Sequence, residues 1–71
     1  MTGPDFCAIR KSLGLSTIQW GRAIGYTGTD NTVSVGVRRY ESGARPLPPW
    51  IARLAHMYGF VGIPDDIHDI R

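Results

Sequence analysis

Residues 15–43 read LSTIQWGRAIGYTGTDNTVSVGVRRYESG, and how this stretch folds decides the rest of the chain. It opens with a helix start. Ser16 is placed to cap, and Gln19 three residues on completes a capping box behind Leu15. Trp20, Ala23 and Ile24 then form an inward stripe, and Gly25 is a stop signal. Gly21 falls mid-helix, where glycine costs about 1 kcal/mol relative to alanine. That cost makes sense if a second helix crosses at close range. Tyr26 to Asn31 reads as a turn, in which Gly28 allows positive φ and Thr29, Asp30 or Asn31 can cap the next element.

The segment after the turn carries two periodicities. Val33, Val35 and Val37 alternate with Ser34 and Gly36, a period-two pattern of β-branched residues that favours a strand. Val33, Val37 and Tyr40 are also spaced i, i+4, i+7, which favours a helix. No second strand is present elsewhere in the sequence to pair with the first, and a lone strand leaves its backbone groups unsatisfied. A helix over 31–42 is therefore expected, with Gly43 as its stop.

Working outward, Thr2 and Asp5 bracket a helix start with Pro4 in its first turn. Phe6, Ile9 and Leu13 make one apolar stripe, Arg10 and Lys11 suit the end of the helix dipole, and Gly14 ends it. Ala44 to Pro49 is a loop stiffened by three prolines. A fourth helix comes next, with Ile51, Leu54 and Tyr58 on one face, Trp50, Met57 and Phe60 to the side, and Gly59 as the expected end. Ile67 and Ile70 mark a short C-terminal helix after Pro64. The expectation is an all-α domain of four to five helices, with residues 1–60 as its body and 61–71 as a C-terminal segment.

With 71 residues, the chain is one domain near the lower size limit for a self-sufficient core. The single cysteine, Cys7, excludes an internal disulfide and a multi-cysteine zinc site. His56 and His68 lie at the other end of the sequence, so neither a metal site nor another cofactor is expected. No run approaches the ~18 apolar residues of a membrane span, and no signal-like N-terminus is evident, which points to the cytoplasm. An enzyme is disfavoured, because Cys7, His56 and His68 show no nucleophile–base spacing and the chain is short for a deep pocket. Charge is uneven. Residues 1–64 carry seven Lys/Arg against three Asp/Glu, net +4, whereas 65–71 carry three Asp against Arg71, net −2. A basic body favours a polyanionic partner.

Two helices joined by a turn, the second exposing short polar side chains near its start, suit double-stranded DNA. The first would lie across the phosphates with Ser16, Thr17 and Gln19 toward them. The second, with Val33, Val37 and Tyr40 turned inward, would expose Asn31, Thr32, Ser34, Val35, Arg38 and Arg39. Asn31 is suited to adenine, Arg38 to guanine and Val35 to a thymine methyl. Arg22, Arg39 and Arg45 are suited to phosphates.

These residues resemble a lambda-repressor-like (Cro-type) helix-turn-helix domain. Leu15-Ser16, Trp20-Gly21 where that family usually has Leu-Ala, and Ile24-Gly25 are similar to its second helix. Val37-Arg38-Arg39-Tyr40-Glu41-Ser42-Gly43, then Arg45 and Pro46, resemble the end of its third, and Ile9-Arg10-Lys11 through Gly14 the end of its first. The resemblance covers about residues 6–59. It implies a DNA-binding transcriptional regulator, of the small phage or mobile-element kind, acting most often as a repressor, with Arg10 paired to Glu41 as a structural tie. The chain departs from the pattern in a Gly25–Glu41 spacing several residues longer, in Thr17 where glutamine is frequent, and in a fifth helix reduced to Ile67–Ile70.

A small module contacts few base pairs, so a homodimer on an inverted repeat is expected. Trp50, Met57, Phe60 and Ile67 are the candidate interface, with monomer core the competing role for Trp50 and Met57. The alternative function is a protein-interaction module, antitoxin-like or anti-repressor, carried by Trp50, Met57, Phe60 and the acidic C-terminal tail.

Overall fold

Four helices succeed one another in the computed structural model, which describes residues 1–63: α1 (Gly3–Ser12), α2 (Thr17–Ile24), α3 (Asp30–Ser42) and α4 (Pro49–Val61). No strand forms among the described residues. The expected C-terminal helix, with Ile67, His68 and Ile70, lies outside them.

Local chemistry sets the helix ends. Thr2 and Asp5 form a full capping box on α1, and Ser16 and Gln19 form another on α2. In each, a side-chain oxygen at either end takes an otherwise orphaned N–H. Thr29 caps α3 by accepting from the Thr32 N–H. Gly25 and Gly43 close α2 and α3 in the left-handed conformation, at φ 108° and 82°, where a side chain would be strained.

The valine segment is helical. Val33 and Val37 are buried with Tyr40, while Val35 is only half-buried, so the 3.6-residue spacing prevails over the alternation. One expected boundary is wrong. Gly59 does not end α4, which runs on to Val61 and stops at Gly62. The glycine serves packing instead: a Cβ there would lie 3.1 Å from the Ile9 Cγ2 of α1.

The core is aromatic at its centre. Phe6 of α1, Trp20 of α2 and Ile51 of α4 are fully buried. Phe6 and Trp20 ring centroids are 5.3 Å apart, and Phe6–Tyr40 and Trp20–Tyr58 meet edge-on at 6.1 Å, the tilted geometry aromatic quadrupoles prefer. The Tyr58 hydroxyl donates to the Ala23 carbonyl at 2.9 Å, tying α4 to the end of α2. Trp20 Nε1 is buried without a hydrogen-bond partner among the described residues.

The most extensive helix contact is α2 on α3, followed by α1 on α3 and α1 on α4. At the α1–α3 junction the Arg10 Nε donates to Glu41 Oε2 at 2.7 Å, Nη2 to Oε1 at 3.4 Å, and Nη1 to the Leu15 carbonyl at 3.0 Å. The carboxylate bond raises the Arg10 pKa above its already high ordinary value, so the guanidinium is permanently charged. Among the described residues no helix is long and apolar enough to cross a membrane.

Candidate nucleic-acid interface

The α2–α3 pair is held at three levels. At the crossing, Gly21 has no side chain because Val33 Cγ1 occupies the place of its Cβ, and Val37 Cγ2 lies 3.1 Å from that position. This is the close helix approach that a mid-helix glycine requires. Beside it the Thr17 and Ser34 hydroxyls hydrogen-bond to each other at 2.7 Å. At the turn, Arg22 Nη2 donates to the Gly28 carbonyl at 2.8 Å and pairs with Asp30 Oδ1 at 3.0 Å, and Nη1 reaches the Tyr26 carbonyl at 3.4 Å. The long turn is therefore clasped by a cation that satisfies two of its carbonyls.

These contacts correct one expected exposure and engage two further expected site residues within the helix pair. Ser34 does not face outward: it is 8% exposed and its hydroxyl is used by Thr17. Val33 and Val37 fix the buried face of α3, and Ser34 falls on the flank that α2 covers. Thr17 is half-buried in the same bond, so its hydroxyl serves helix packing. Arg22 is half-buried and engaged with the turn and with Asp30. Gln19 is half-buried and its Oε1 accepts the Ser16 N–H at 2.9 Å. Ser16 is exposed, its hydroxyl accepting from the Gln19 N–H.

The remaining α3 residues do form one surface. Asn31, Thr32, Arg38 and Arg39 are exposed and Val35 is half-buried among them. At about 100° per residue, Asn31, Val35 and Arg38 lie within one outward arc. Thr32 hydrogen-bonds through its hydroxyl to Thr29 at 2.9 Å. Among the described residues the two ion pairs are Arg10–Glu41 and Arg22–Asp30, so Arg38, Arg39 and Arg45 have no carboxylate partner there.

A shallow cleft of about 350 Å³ runs along one flank of α3, lined by residues including Tyr26, Asn31, Thr32, Gly36, Arg39 and Arg45, and among the described residues no carboxylate lines it. Nothing in the sequence alone assigns Tyr26 or Gly36 to a surface. Only the turn geometry brings Tyr26 back beside α3. Its ring stacks on Tyr40 at 6.3 Å, the two hydroxyls hydrogen-bond, and the Arg45 guanidinium sits 5.9 Å from the Tyr40 ring centroid. Burial first, and the Tyr40 bond second, push the Tyr26 phenol up to about 12. It stays protonated at neutral pH and adds no negative charge to a cationic cleft.

A second surface is apolar. Trp50, Met57, Phe60 and Val61 are 57, 54, 87 and 70% exposed on α4. Trp50 and Met57 are therefore not monomer core. Val61 escapes a reading of the sequence because Gly59 looks like the helix end. Among the described residues no group of His, Cys, Asp and Glu is placed to hold a metal. Neither a family model, nor a curated protein, nor a solved structure matches this chain.

Proposed function

We propose that this chain is a sequence-specific double-stranded DNA-binding regulator of the helix-turn-helix type, with α3 in the major groove. The observation that carries the reading is the outward face of α3. It joins Asn31, Val35 and Arg38, exposed or half-exposed, to two further arginines without carboxylate partners among the described residues, Arg39 and Arg45. An amide, a small apolar group and a guanidinium on one helix face match the donor, acceptor and methyl pattern of major-groove base edges. The flanking cations match phosphates. Repression by covering a promoter is the simplest regulatory outcome for so small a protein.

A homodimer on an inverted repeat completes the proposal. Four largely exposed apolar side chains on α4 would form the pairing face, and an inverted repeat would ask the two copies of α3 to lie about one DNA turn apart. The same face is the observation that favours the second reading, a protein-interaction module whose target is another protein.

Selection of bound sites from random duplex DNA tests both. An enriched palindrome is expected. Arg38→Ala or Asn31→Ala should then weaken the enriched site by about 1–3 kcal/mol. Arg39→Ala or Arg45→Ala should weaken all sequences alike and reduce the salt slope by about 1. No enrichment and no salt-dependent binding would leave the interaction module. A monomeric mass on DNA would remove the dimer.

A further inference from the structure

The apolar residues on the open side of α4 are regularly spaced. Trp50, Leu54, Met57 and Val61 follow one another at intervals of four, three and four residues, the spacing that keeps one seam of a helix turned toward a partner helix. Trp50, Met57 and Val61 are 57, 54 and 70% exposed, and Leu54 is half-buried against the core. The seam lies about 140–180° around the helix from Gly59, whose flank rests on Ile9 of α1. A second helix can therefore lie along the seam without meeting α1.

The spacing reads the same in both directions. Turned end for end about a two-fold axis beside residues 55 and 56, the seam sets Trp50 against Val61 of the partner subunit and Leu54 against Met57 of the partner subunit. Each pair then recurs across the axis, the reciprocity that a two-fold contact demands. The widest side chain meets the narrowest, whereas parallel pairing would set Trp50 on its own copy and leave a gap between two valines. Arg53 and Phe60 share one flank of the seam, about 20° apart around the helix. Antiparallel pairing brings Arg53, which has no carboxylate partner among the described residues, beside Phe60 of the partner subunit. That ring is 87% exposed and offers its face to a cation. Trp50, Met57, Phe60 and Val61 together expose about 500 Å². Two copies would bury about 1,000 Å², the least that a specific interface needs.

We propose that the occupant of this face is the α4 of a second copy, running antiparallel, with Trp50 packed on Val61 of the partner subunit and Leu54 on Met57 of the partner subunit. This rests on the homodimer of the reading above and gives it one geometry. So small a face makes a weak dimer, with a dissociation constant on the order of 10–100 µM.

Disulfide trapping in a Cys7→Ser background tests the geometry, Cys7 being the only cysteine of the chain. Trp50→Cys/Val61→Cys is expected to oxidise to a covalent dimer. Within one chain the two positions are about 16 Å apart along the helix, beyond the roughly 7 Å that a disulfide spans, so the bond must join two chains. Neither single variant should form dimers, because antiparallel pairing holds like positions equally far apart. Met57→Glu changes an exposed position, so it should keep the unfolding temperature of wild type and lose the dimer in sedimentation equilibrium. Ready dimers from either single cysteine variant, or a Met57→Glu dimer as tight as wild type, overturn the antiparallel seam and leave a homodimer standing. A wild-type chain that is monomeric at millimolar concentration and on DNA overturns the homodimer and the seam together, with residues 64–71 or another protein left to cover α4. DNA binding by α3 is read separately, from the selected sites, and stands or falls without either result.

Discussion

Gly21→Ala should destabilise the protein even though alanine is the better helix former. The replacement recovers about 1 kcal/mol of helix propensity. Against that, the new methyl occupies the space of Val33 Cγ1 and lies 3.1 Å from Val37 Cγ2. Val33 and Val37 are 2% and 0% exposed, and a valine in a helix has essentially one χ1 rotamer. Neither can swing aside, so α2 and α3 must part. Overpacking of this kind costs about 1–3 kcal/mol, and two stiff neighbours put it in the upper half of that range. The net loss is about 1–2 kcal/mol, or roughly 5–15 °C in midpoint for a domain of this size. Urea titration followed by far-ultraviolet circular dichroism measures it. A double-mutant cycle sharpens the test. Val33→Ala alone removes two buried carbons and leaves a hole, at about 2 kcal/mol. In the double variant the alanine methyl fills that hole, so the combined loss should fall short of the sum by about 1–2 kcal/mol. A Gly21→Ala variant as stable as wild type, or strict additivity with Val33→Ala, would refute the close-crossing account of the helix pair.

Two further outcomes are expected. Glu41→Ala should cost about 2–3 kcal/mol, less than for a fully buried pair, because it leaves Arg10 charged and only 15% exposed; replacing both, as Arg10→Met/Glu41→Leu, should restore most of it. Equal urea midpoints for the single and double variants would contradict this. Tyr26, raised from 10.0 to about 12, keeps its proton longer in the folded than in the unfolded chain. Its contribution is complete below pH 10 and is lost as pH rises toward 12. Unfolding followed across that window should show a steeper fall for wild type than for Tyr26→Phe, and parallel curves would contradict it.

Much of this architecture is legible in the sequence because its signals are local. Thr2–Asp5 and Ser16–Gln19 are three-residue hydrogen-bonded boxes, and Gly25 and Gly43 stop helices by their own backbone freedom. The valine segment needs one non-local consideration, the want of a partner strand. The features that stay hidden are non-local. Gly59 looks like any other stop until Ile9 is placed against it. Ser34 and Thr17 look like surface polar residues until their two helices bring the hydroxyls together. Arg22 reads as a spare cation because nothing in the chain order shows the Gly28 carbonyl turning back toward it.

The two indoles live in opposite surroundings, Trp20 sealed at 0% and Trp50 open at 57%. A water-borne quencher can collide with the second while the folded chain screens the first. The protein thus carries two independent optical channels without a label: the blue-shifted one reports whether the core is intact, and the red-shifted one whether anything has settled on α4.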